Sequence, residues 1–338
     1  MTRAALTQGC DPLVLTGDIW PKWRVWTLDP DRGVTGDRIE ALSRLSGIAK
    51  EAYEAAMLRP IAEVVSGNSL HDKSTWPWVL ALGSRNRRRR GGLQYCPRCL
   101  AEDRRPYFRL HWRLAWHTGC PRHGCRLLDR CPHCTSPIEP HRLSAKELTM
   151  AVCAACENDL RMVGPVDADA DGLAFQRAAD EAVASLEGHY GGKALPASEW
   201  FSLARYFVTL LRKMGMGKTE GLMALARSFG VDTDALQAPA TGLAIELLPV
   251  DERAALLGDA WKFMSGNPND FLKAAQRASL TVQSLREPRQ RLPATIEKLV
   301  IELPDKRTVR VGRAEREPFK PYSRQAVMRM WARFQRKM

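Results

Sequence analysis

Two patterns predict a mainly α-helical protein that carries small zinc-knuckle modules. Four pairs of cysteine or histidine residues, each with two residues between the partners, lie within 96–156. Apolar residues recur at helical spacing in 37–58, in 173–186 and through much of 197–338. The expected fold is a set of helical domains, with a helix-turn-helix-like N-terminal part, around two modules of the zinc-ribbon or zinc-finger type.

The paired residues are suited to structural metal sites. Two ligands on one tight turn converge on one ion, and a second turn completes tetrahedral coordination. Pairing in chain order predicts one site from the first two pairs and another from the last two, each with four protein ligands and no open position. We therefore expect two structural Zn²⁺ ions. The pairs are Cys96/Cys99, Cys120/His123, Cys131/Cys134 and Cys153/Cys156.

The same cysteines allow other arrangements. A cross-braced pairing, in which the first pair joins the third and the second joins the fourth, uses the same ligands. Cys125 lies two residues after His123 and offers a thiolate in its place. Disulfide bonds are disfavoured, because they are typical of short secreted chains, whereas this one has 338 residues and no recognisable export signal.

The stretch that carries the first ligands has further distinctive residues. It reads W-V-L-A-L-G-S-R-N-R-R-R-R-G-G-L-Q-Y and continues C-P-R-C-L-A-E-D-R-R-P-Y-F-R-L-H-W-R-L-A-W-H-T-G-C-P-R-H-G-C. This stretch closely resembles the TniQ family of bacterial transposition proteins, densely over about 76–160 and loosely beyond Ala194. The family usually opens with a short apolar, proline-containing stretch and a helix of E-S-L-x-S-W-like sequence. Residues 1–30 contain no such sequence, so a divergent or shortened N-terminal start is expected.

The resemblance implies a function as well as a fold. It implies a non-catalytic adaptor that contributes to target-site selection in DNA transposition, beside a separate AAA+ ATPase and a separate transposase. Related family members link CRISPR-associated effector complexes to transposition, which adds such a complex to the partners that the resemblance implies. A stand-alone helix-turn-helix regulator and a zinc-stabilised protein-interaction scaffold are the alternatives.

The chain is long enough for several domains. The expected divisions are a helical, helix-turn-helix-like region over 1–75 and a double zinc-ribbon module over 76–165. An acidic linker or helix over 166–196 and a helical C-terminal domain with a basic tail over 197–338 follow.

The formal net charge of +13 is concentrated in two blocks. Residues 85–130 hold thirteen arginines and three acids, and residues 305–338 hold eleven lysines or arginines and three acids. Such blocks indicate contact with a polyanion, mainly a DNA backbone, or with acidic partner proteins. The arginines expected to make this contact are Arg85, Arg87, Arg88, Arg89, Arg90, Arg105, Arg109, Arg113, Arg286, Arg289, Arg329 and Arg333.

The N-terminal region has the spacing of a helix-turn-helix. A helix from Asp37 to Ser46, Gly47 in the turn, Ile48 as a buried apolar plug and a second helix stopped by Pro60 satisfy the pattern. Acidic residues on the second helix would repel phosphate. The motif is therefore expected to contact either DNA or a partner protein.

The C-terminal half contains weaker versions of this pattern. One predicted helix ends at Gly230 and a second begins with Asp232. Another pair turns near Ser279 and runs to Arg286, with side chains suited to base recognition. A basic amphipathic helix is expected from Ser323 onward.

The residues between the first two ligand pairs also show helical spacing. Tyr107, Phe108, Trp112, Ala115 and Trp116 recur on one side, and arginines repeat every four residues on another. The sequence predicts a helix whose aromatic stripe covers the first zinc site and whose arginines follow a DNA backbone or a partner's carboxylates.

The sequence argues against two functional classes, enzymes and membrane proteins. No nucleophile–base pair, phosphate-binding loop, open metal site or paired-carboxylate signature is recognisable, so no enzymatic activity is expected. The sequence has neither an apolar run of about 18 residues nor an apolar leader, so a bacterial cytoplasmic protein without membrane contact is expected. A homodimer is compatible with the sequence.

Overall fold

A computed structural model describes residues 1–67, 70, 75–82, 92–217, 219–236, 242–286, 291–305, 323–324, 327–328 and 331. The chain divides into two compact units, 1–304 and 305–338. The elements that follow all belong to the first unit.

The mainly helical class is confirmed. Within the described residues, the first unit forms thirteen α-helices and two antiparallel strand pairs, β1 with β2 and β3 with β4. None of the described helices is long and apolar enough to cross a bilayer. The helices are α1 (Thr2–Thr7), α2 (Pro12–Ile19), α3 (Asp37–Ser46), α4 (Lys50–Ala55), α5 (Arg59–Ser66), α6 (Pro97–Glu102), α7 (Ala170–Ser185), α8 (Ala197–Met216), α9 (Glu220–Ser228), α10 (Val250–Met264), α11 (Pro268–Arg277), α12 (Val282–Leu285) and α13 (Ala294–Val300); the strands are β1 (Gly119–Cys120), β2 (Cys125–Arg126), β3 (Glu187–Tyr190) and β4 (Lys193–Pro196).

Helix α8 is the centre of the main core. Its buried residues recur every three or four positions, so one broad face of the helix is apolar. Phe207 on this face stacks on Phe263 of α10 with ring centroids 5.1 Å apart, and it meets Phe271 of α11 edge to face at 5.7 Å. Aromatic packing of this kind fixes the three helices against one another.

The main core also includes residues from the first half of the chain. Trp78 and Trp116 lie 5.5 and 4.9 Å, centroid to centroid, from Phe201 of α8. The buried residues of this one core run from Leu58 to Leu303. Residues from each of the four expected regions thus contribute to this core.

Helix α7 lies where an acidic linker or helix was expected. Its Gln176 side chain is buried and accepts hydrogen bonds from the amides of Thr118 and Gly119 at 3.2 and 3.3 Å. Asp180 accepts one from the indole of Trp116 at 2.8 Å. These contacts make α7 a packed part of the first unit, bound to the segment that carries β1.

A buried arginine joins α10 to the same segment. Arg253 is fully buried, and its guanidinium donates to the carbonyls of Leu248 and Ala115 at 3.2 and 2.6 Å and to the side-chain oxygen of Gln94 at 2.8 Å. Gln94 in turn donates to the carbonyl of His117 at 2.6 Å. Burial lowers the pKa of Arg253 to about 10, so the group is still charged at neutral pH.

The N-terminal motif follows only part of its expected form. Helix α3 ends at Ser46, and Gly47 has the expected left-handed conformation, with φ of 70°. The second helix, however, already ends at Ala55, and Pro60 lies in the first turn of α5, where a proline needs no amide hydrogen. Ile48 is 48% exposed, so it is not a buried plug.

In neither C-terminal version of the motif do the described residues form a full second helix. Gly230 has the expected positive φ of 74°, but the residues from Val231 to Leu236 form a turn rather than a helix. The second pair ends in α12, which has four residues and precedes Arg286. The helix expected from Ser323 lies largely outside the described residues.

Arg113 links the N-terminal segment to the core. Its guanidinium donates to both carboxylate oxygens of Asp29, at 3.0 and 2.5 Å, to Asp31 at 2.6 Å and to the carbonyl of Leu80 at 2.9 Å. Arg113 and Asp29 have side-chain exposures of 1% and 7%. A bidentate pair this deeply buried is specific in geometry, and loss of one partner would leave a buried charge.

Replacement of Arg113 is therefore expected to be costly. Arg113→Ala should lower the free energy of unfolding by about 3–5 kcal/mol, because Asp29 would be left buried without its partner. Urea denaturation measures the change. The matched control is Arg105→Ala, which removes an exposed arginine of the same segment and should change the free energy of unfolding by less than about 0.5 kcal/mol. Equal stability of the two variants would contradict this role of Arg113.

Candidate metal centres

The first centre brings three sulfurs and one nitrogen together. Nδ1 of His123 lies 3.3 Å from Sγ of Cys96 and 3.4 Å from Sγ of both Cys99 and Cys120. The sulfurs of Cys99 and Cys120 are 3.6 Å apart. All four ligand atoms lie within 4.8 Å of one another. A nitrogen at nearly equal distances from three sulfurs is the arrangement of a tetrahedral site.

The second centre consists of four sulfurs. Sγ of Cys131 lies 3.6 Å from Sγ of Cys156, and Sγ of Cys134 lies 3.7 Å from Sγ of Cys153. These atoms also lie within 4.8 Å of one another. One cysteine of each pair is buried and the other is half-buried, so this centre lies closer to solvent.

Both donor sets fit Zn²⁺. Zinc binds sulfur at about 2.3 Å and nitrogen at about 2.0–2.1 Å, which gives a tetrahedron with edges of about 3.8 Å between sulfurs and about 3.6 Å between sulfur and nitrogen. The sulfur–sulfur and sulfur–nitrogen distances in the two clusters lie within a few tenths of an ångström of these edges. Burial raises the pKa of the thiols of Cys99 and Cys153, to about 11 and about 12, so a cation that binds there displaces protons.

Three of the four knuckles share one backbone turn. Gly124, Thr135 and Glu157 each follow the first cysteine of a pair by four positions and have φ of 61, 58 and 60°. Each donates its amide to the carbonyl of that cysteine, at 2.8, 2.9 and 2.8 Å. The turn directs both ligands of the pair to the same side. Its left-handed residue is favourable as glycine and costly as a β-branched residue.

The first knuckle instead begins a helix. Cys96 is the N-cap of α6, and its sulfur accepts a hydrogen bond from the amide of Cys99 at 3.4 Å. Pro97 occupies the first turn, where its fixed φ is compatible with a helix. The proline after the first cysteine thus starts α6, and Cys99 reaches the centre from the first helical turn.

The geometry decides between the arrangements that the sequence left open. Each cluster contains two pairs that are consecutive in the chain, so sequential rather than cross-braced pairing brings the ligands together. His123, not Cys125, is the fourth member of the first cluster, although Sγ of Cys125 lies only 3.5 Å from Sγ of Cys96. All nine cysteines are free of disulfide bonds.

Glu102 is a residue of this centre that the sequence did not reveal. Its carboxylate accepts a hydrogen bond from Nε2 of His123 at 2.9 Å and one from Arg122 at 2.7 Å. Metal-bound histidines usually donate their second nitrogen to such a carboxylate. Glu102 lies three residues after Cys99 on α6, a spacing that would have pointed to it only if the helix had been predicted.

The segment between the first two ligand pairs is not the expected helix. Between the end of α6 and the start of β1, its only helical element is a short 3₁₀ turn from Leu110 to Arg113. Trp112 and Trp116 are nonetheless buried, whereas Tyr107 is 41% exposed. The segment folds over the centre as an irregular chain, because its aromatic side chains pack in two different clusters and a single helical face could not reach both.

The arginines of this segment have different surroundings. Arg105 is exposed. Arg109 is half-buried, forms a bidentate pair with Asp103 at 3.1 and 2.8 Å, and lies 4.6 Å from the ring centroid of Tyr107. Arg113 is buried in its pair with Asp29, so the expectation that it contacts DNA is corrected: its guanidinium has no solvent-facing surface.

The remaining predicted arginines are mostly not described. Arg286 is exposed, and its backbone carbonyl accepts a hydrogen bond from Lys213 at 2.9 Å. It lies after α12 rather than on a recognition helix. The others lie outside the described residues: Arg85, Arg87, Arg88, Arg89, Arg90, Arg289, Arg329 and Arg333.

We call the chain segments that carry the two ligand clusters, 96–123 and 131–156, the metal modules. A cavity of about 690 Å³ opens between them and the N-terminal helices. In its wall, the rings of Trp26 and His141 stack with centroids 5.1 Å apart. Cζ of Arg3 lies over the ring of Tyr107, 5.6 Å from its centroid. Leu28 also lines the cavity and is 56% exposed. The cavity thus combines exposed apolar surface with arginine side chains.

The model of the TniQ family matches residues 1–127, which include the whole first centre. This match supports the resemblance to the TniQ family that the sequence indicated. The match starts at residue 1, so the family pattern extends over the N-terminal residues where the sequence suggested a departure. The second centre and the C-terminal helices lie outside the matched TniQ residues. Neither the curated proteins nor the solved structures gave a match.

The shared turn gives a test of the knuckle geometry. Thr135→Gly should raise the free energy of unfolding by up to about 1 kcal/mol. The left-handed conformation costs any residue with a Cβ about 1–2 kcal/mol, and the greater backbone entropy that glycine loses on folding offsets part of this gain. Gly124→Ala, the matched reverse change, should lower it by about 1 kcal/mol. No atom lies within 4 Å of a Cβ added at Gly124, so backbone conformation alone decides. Urea denaturation of the two metal-loaded proteins measures both, and shifts of the same sign would contradict the account.

Proposed function

We propose that this protein is a non-catalytic, zinc-binding adaptor in DNA transposition, which contributes to target-site selection and recruits an AAA+ ATPase and a transposase. The observation that carries the proposal is the TniQ match over residues 1–127, a family of transposition-associated proteins. The match includes the first cluster of four metal ligands. An adaptor needs a rigid surface rather than a reactive group.

The two centres support a structural role for zinc. Each cluster already has four protein ligands, so a bound ion would have no open position for water or substrate. We propose that the ions hold the irregular parts of this segment in position, because its strands β1 and β2 have only two residues each and supply few backbone hydrogen bonds. Asp129, between the two clusters, accepts a hydrogen bond from the amide of Val250 at 3.0 Å, at the N-terminus of α10. The metal modules are thereby fixed to the helical part.

The proposed partner surface includes the cavity beside the N-terminal helices. Leu28 and Leu13 line it and are 56% and 55% exposed. Exposed apolar surface with an arginine and aromatic rim is typical of protein interfaces. Helices α3 and α4 are a second surface for protein contact, because Glu51 and Glu54 of α4 are exposed and would repel DNA.

DNA contact in the proposed adaptor is made mainly to the backbone. Arg98, Arg104, Arg105 and Arg122 are exposed around the first centre. Arginines of this kind bind phosphates without reading sequence, so they would hold the adaptor on DNA while a partner selects the site. A bacterial cytoplasmic location follows from this role.

Binding of the ATPase tests the proposal most directly. The tagged protein is mixed with the purified AAA+ ATPase and transposase of the same mobile element, with ATP and duplex DNA, and retained proteins are quantified. The wild type is expected to retain the ATPase. Leu28→Asp should weaken retention at least tenfold, because it places a charge on the apolar rim of the cavity.

Ile301→Asp is the matched control for this experiment. It also replaces an exposed apolar residue, 80% exposed at the end of α13, and should retain the ATPase like the wild type. Absence of ATPase binding by the wild type would contradict the adaptor role. Sequence-specific DNA binding by the protein alone, about a thousandfold tighter than non-specific binding, would favour a stand-alone regulator.

A further inference from the structure

Together with Cys125, the first centre offers five potential ligands, one more than a tetrahedral ion can bind. Cys125 is 1% exposed, and its sulfur lies 3.5 Å from that of Cys96, as close as the sulfur pairs within the clusters. It pairs with Cys120 across β1 and β2. Two chemically different residues, a histidine and a cysteine, are therefore in reach of the fourth position.

Ligand softness alone would favour the cysteine. Thiolate binds Zn²⁺ at least as readily as imidazole, and Cys₄ and Cys₃His are both established types of structural zinc site. A shift of Cys125 towards the ion would release His123, and the thiol would give its proton to solvent. Something in the structure must therefore keep the imidazole in place.

Glu102 is placed to do this. A carboxylate can only accept, so its 2.9 Å contact requires that Nε2 of His123 carries the hydrogen. Nδ1 then presents its lone pair to the three sulfurs. The second oxygen of Glu102 is held by Arg122 at 2.7 Å, and Glu102 itself is on α6, the helix that also carries Cys99. The imidazole is thus fixed from the side opposite to the sulfurs.

We propose that Glu102 selects His123 over Cys125 as the fourth ligand of the first metal centre, by holding the imidazole with Nδ1 towards the three sulfurs. Cys125 is then a reserve ligand, which enters the site when this support is removed. Glu102 is a positioning residue: it touches a ligand but not the ion. The inference rests on the metal-binding part of the proposed function and is independent of the partners.

The test uses the full chain loaded with Co²⁺, whose sulfur-to-metal charge-transfer absorption grows with the number of bound thiolates. Two ions per chain are expected, with three thiolates at the first centre and four at the second. Cys125→Ser should leave the absorption unchanged. Glu102→Ala should gain an eighth thiolate, seen as stronger charge transfer and d–d bands shifted towards those of a four-sulfur site.

Two further variants separate positioning from a general structural effect. Glu102→Ala combined with Cys125→Ser should stay at seven thiolates and bind one of its two ions about 10–100-fold more weakly. Glu102→Gln keeps an oxygen that accepts from Nε2 and should restore the wild-type spectrum. If Glu102→Ala has the wild-type spectrum and affinity, Glu102 does not select the ligand. A change on Cys125→Ser alone would mean that Cys125 is already bound.

A measurement on the zinc-loaded wild type needs no variant. Long-range ¹H–¹⁵N spectra of the histidines are expected to show His123 bound through Nδ1, with a slowly exchanging hydrogen on Nε2. A free His123 ring would overturn the inference. Binding of fewer than two ions by the wild type would instead refute a metal centre, and would leave the ATPase experiment to decide the adaptor role.

Discussion

The segment that joins the N-terminal part to the helical part is built around two clusters of donor atoms, each of which could hold a cation. Seven sulfurs and one nitrogen form two groups of four, and the atoms of each group lie within 4.8 Å of one another. Both groups belong to a segment that has very little regular secondary structure. As thiolates, sulfurs this close would repel one another, and a divalent ion at the centre would turn that repulsion into four bonds. Ions bound at the two clusters would therefore replace the backbone hydrogen bonds that helices and sheets supply elsewhere. The fold of this segment would then depend on metal binding.

The metal modules in turn position the helical part. Asp129 holds the N-terminus of α10, and the Arg253 side chain extends from α10 back to Ala115 and Gln94. Trp116, the residue after Ala115, packs against Phe201 of α8 and so joins this segment to the aromatic core. Because these contacts are buried and polar, they are specific in geometry: a shifted segment would leave donors and acceptors without partners. The TniQ residues and the C-terminal helices are thus one packed body within the first unit, although only the former match the family.

The predictable features are those that depend on local spacing. Four pairs of ligands indicated two metal centres. Helix α3, which begins at Asp37, and helix α9, which ends two residues before Gly230, follow from the positions of glycines and the spacing of apolar residues. The irregular segment from Tyr107 to Trp116 was wrongly predicted as a helix, because its aromatic residues have helical spacing but pack in different clusters. Glu102 and the Arg113–Asp29 pair join residues that are far apart in sequence. No local pattern marks such contacts, so only the fold reveals them.

In our proposal, zinc holds this part of the protein together. Native mass spectrometry of the purified protein, combined with thermal unfolding, tests whether it does. The wild type is expected to carry two zinc ions per chain, and Cys131→Ser combined with Cys134→Ser to carry one and to unfold at a markedly lower temperature, because structural zinc binding is itself folding free energy. A wild type without zinc, or a double variant with unchanged zinc content and unfolding temperature, would contradict the account.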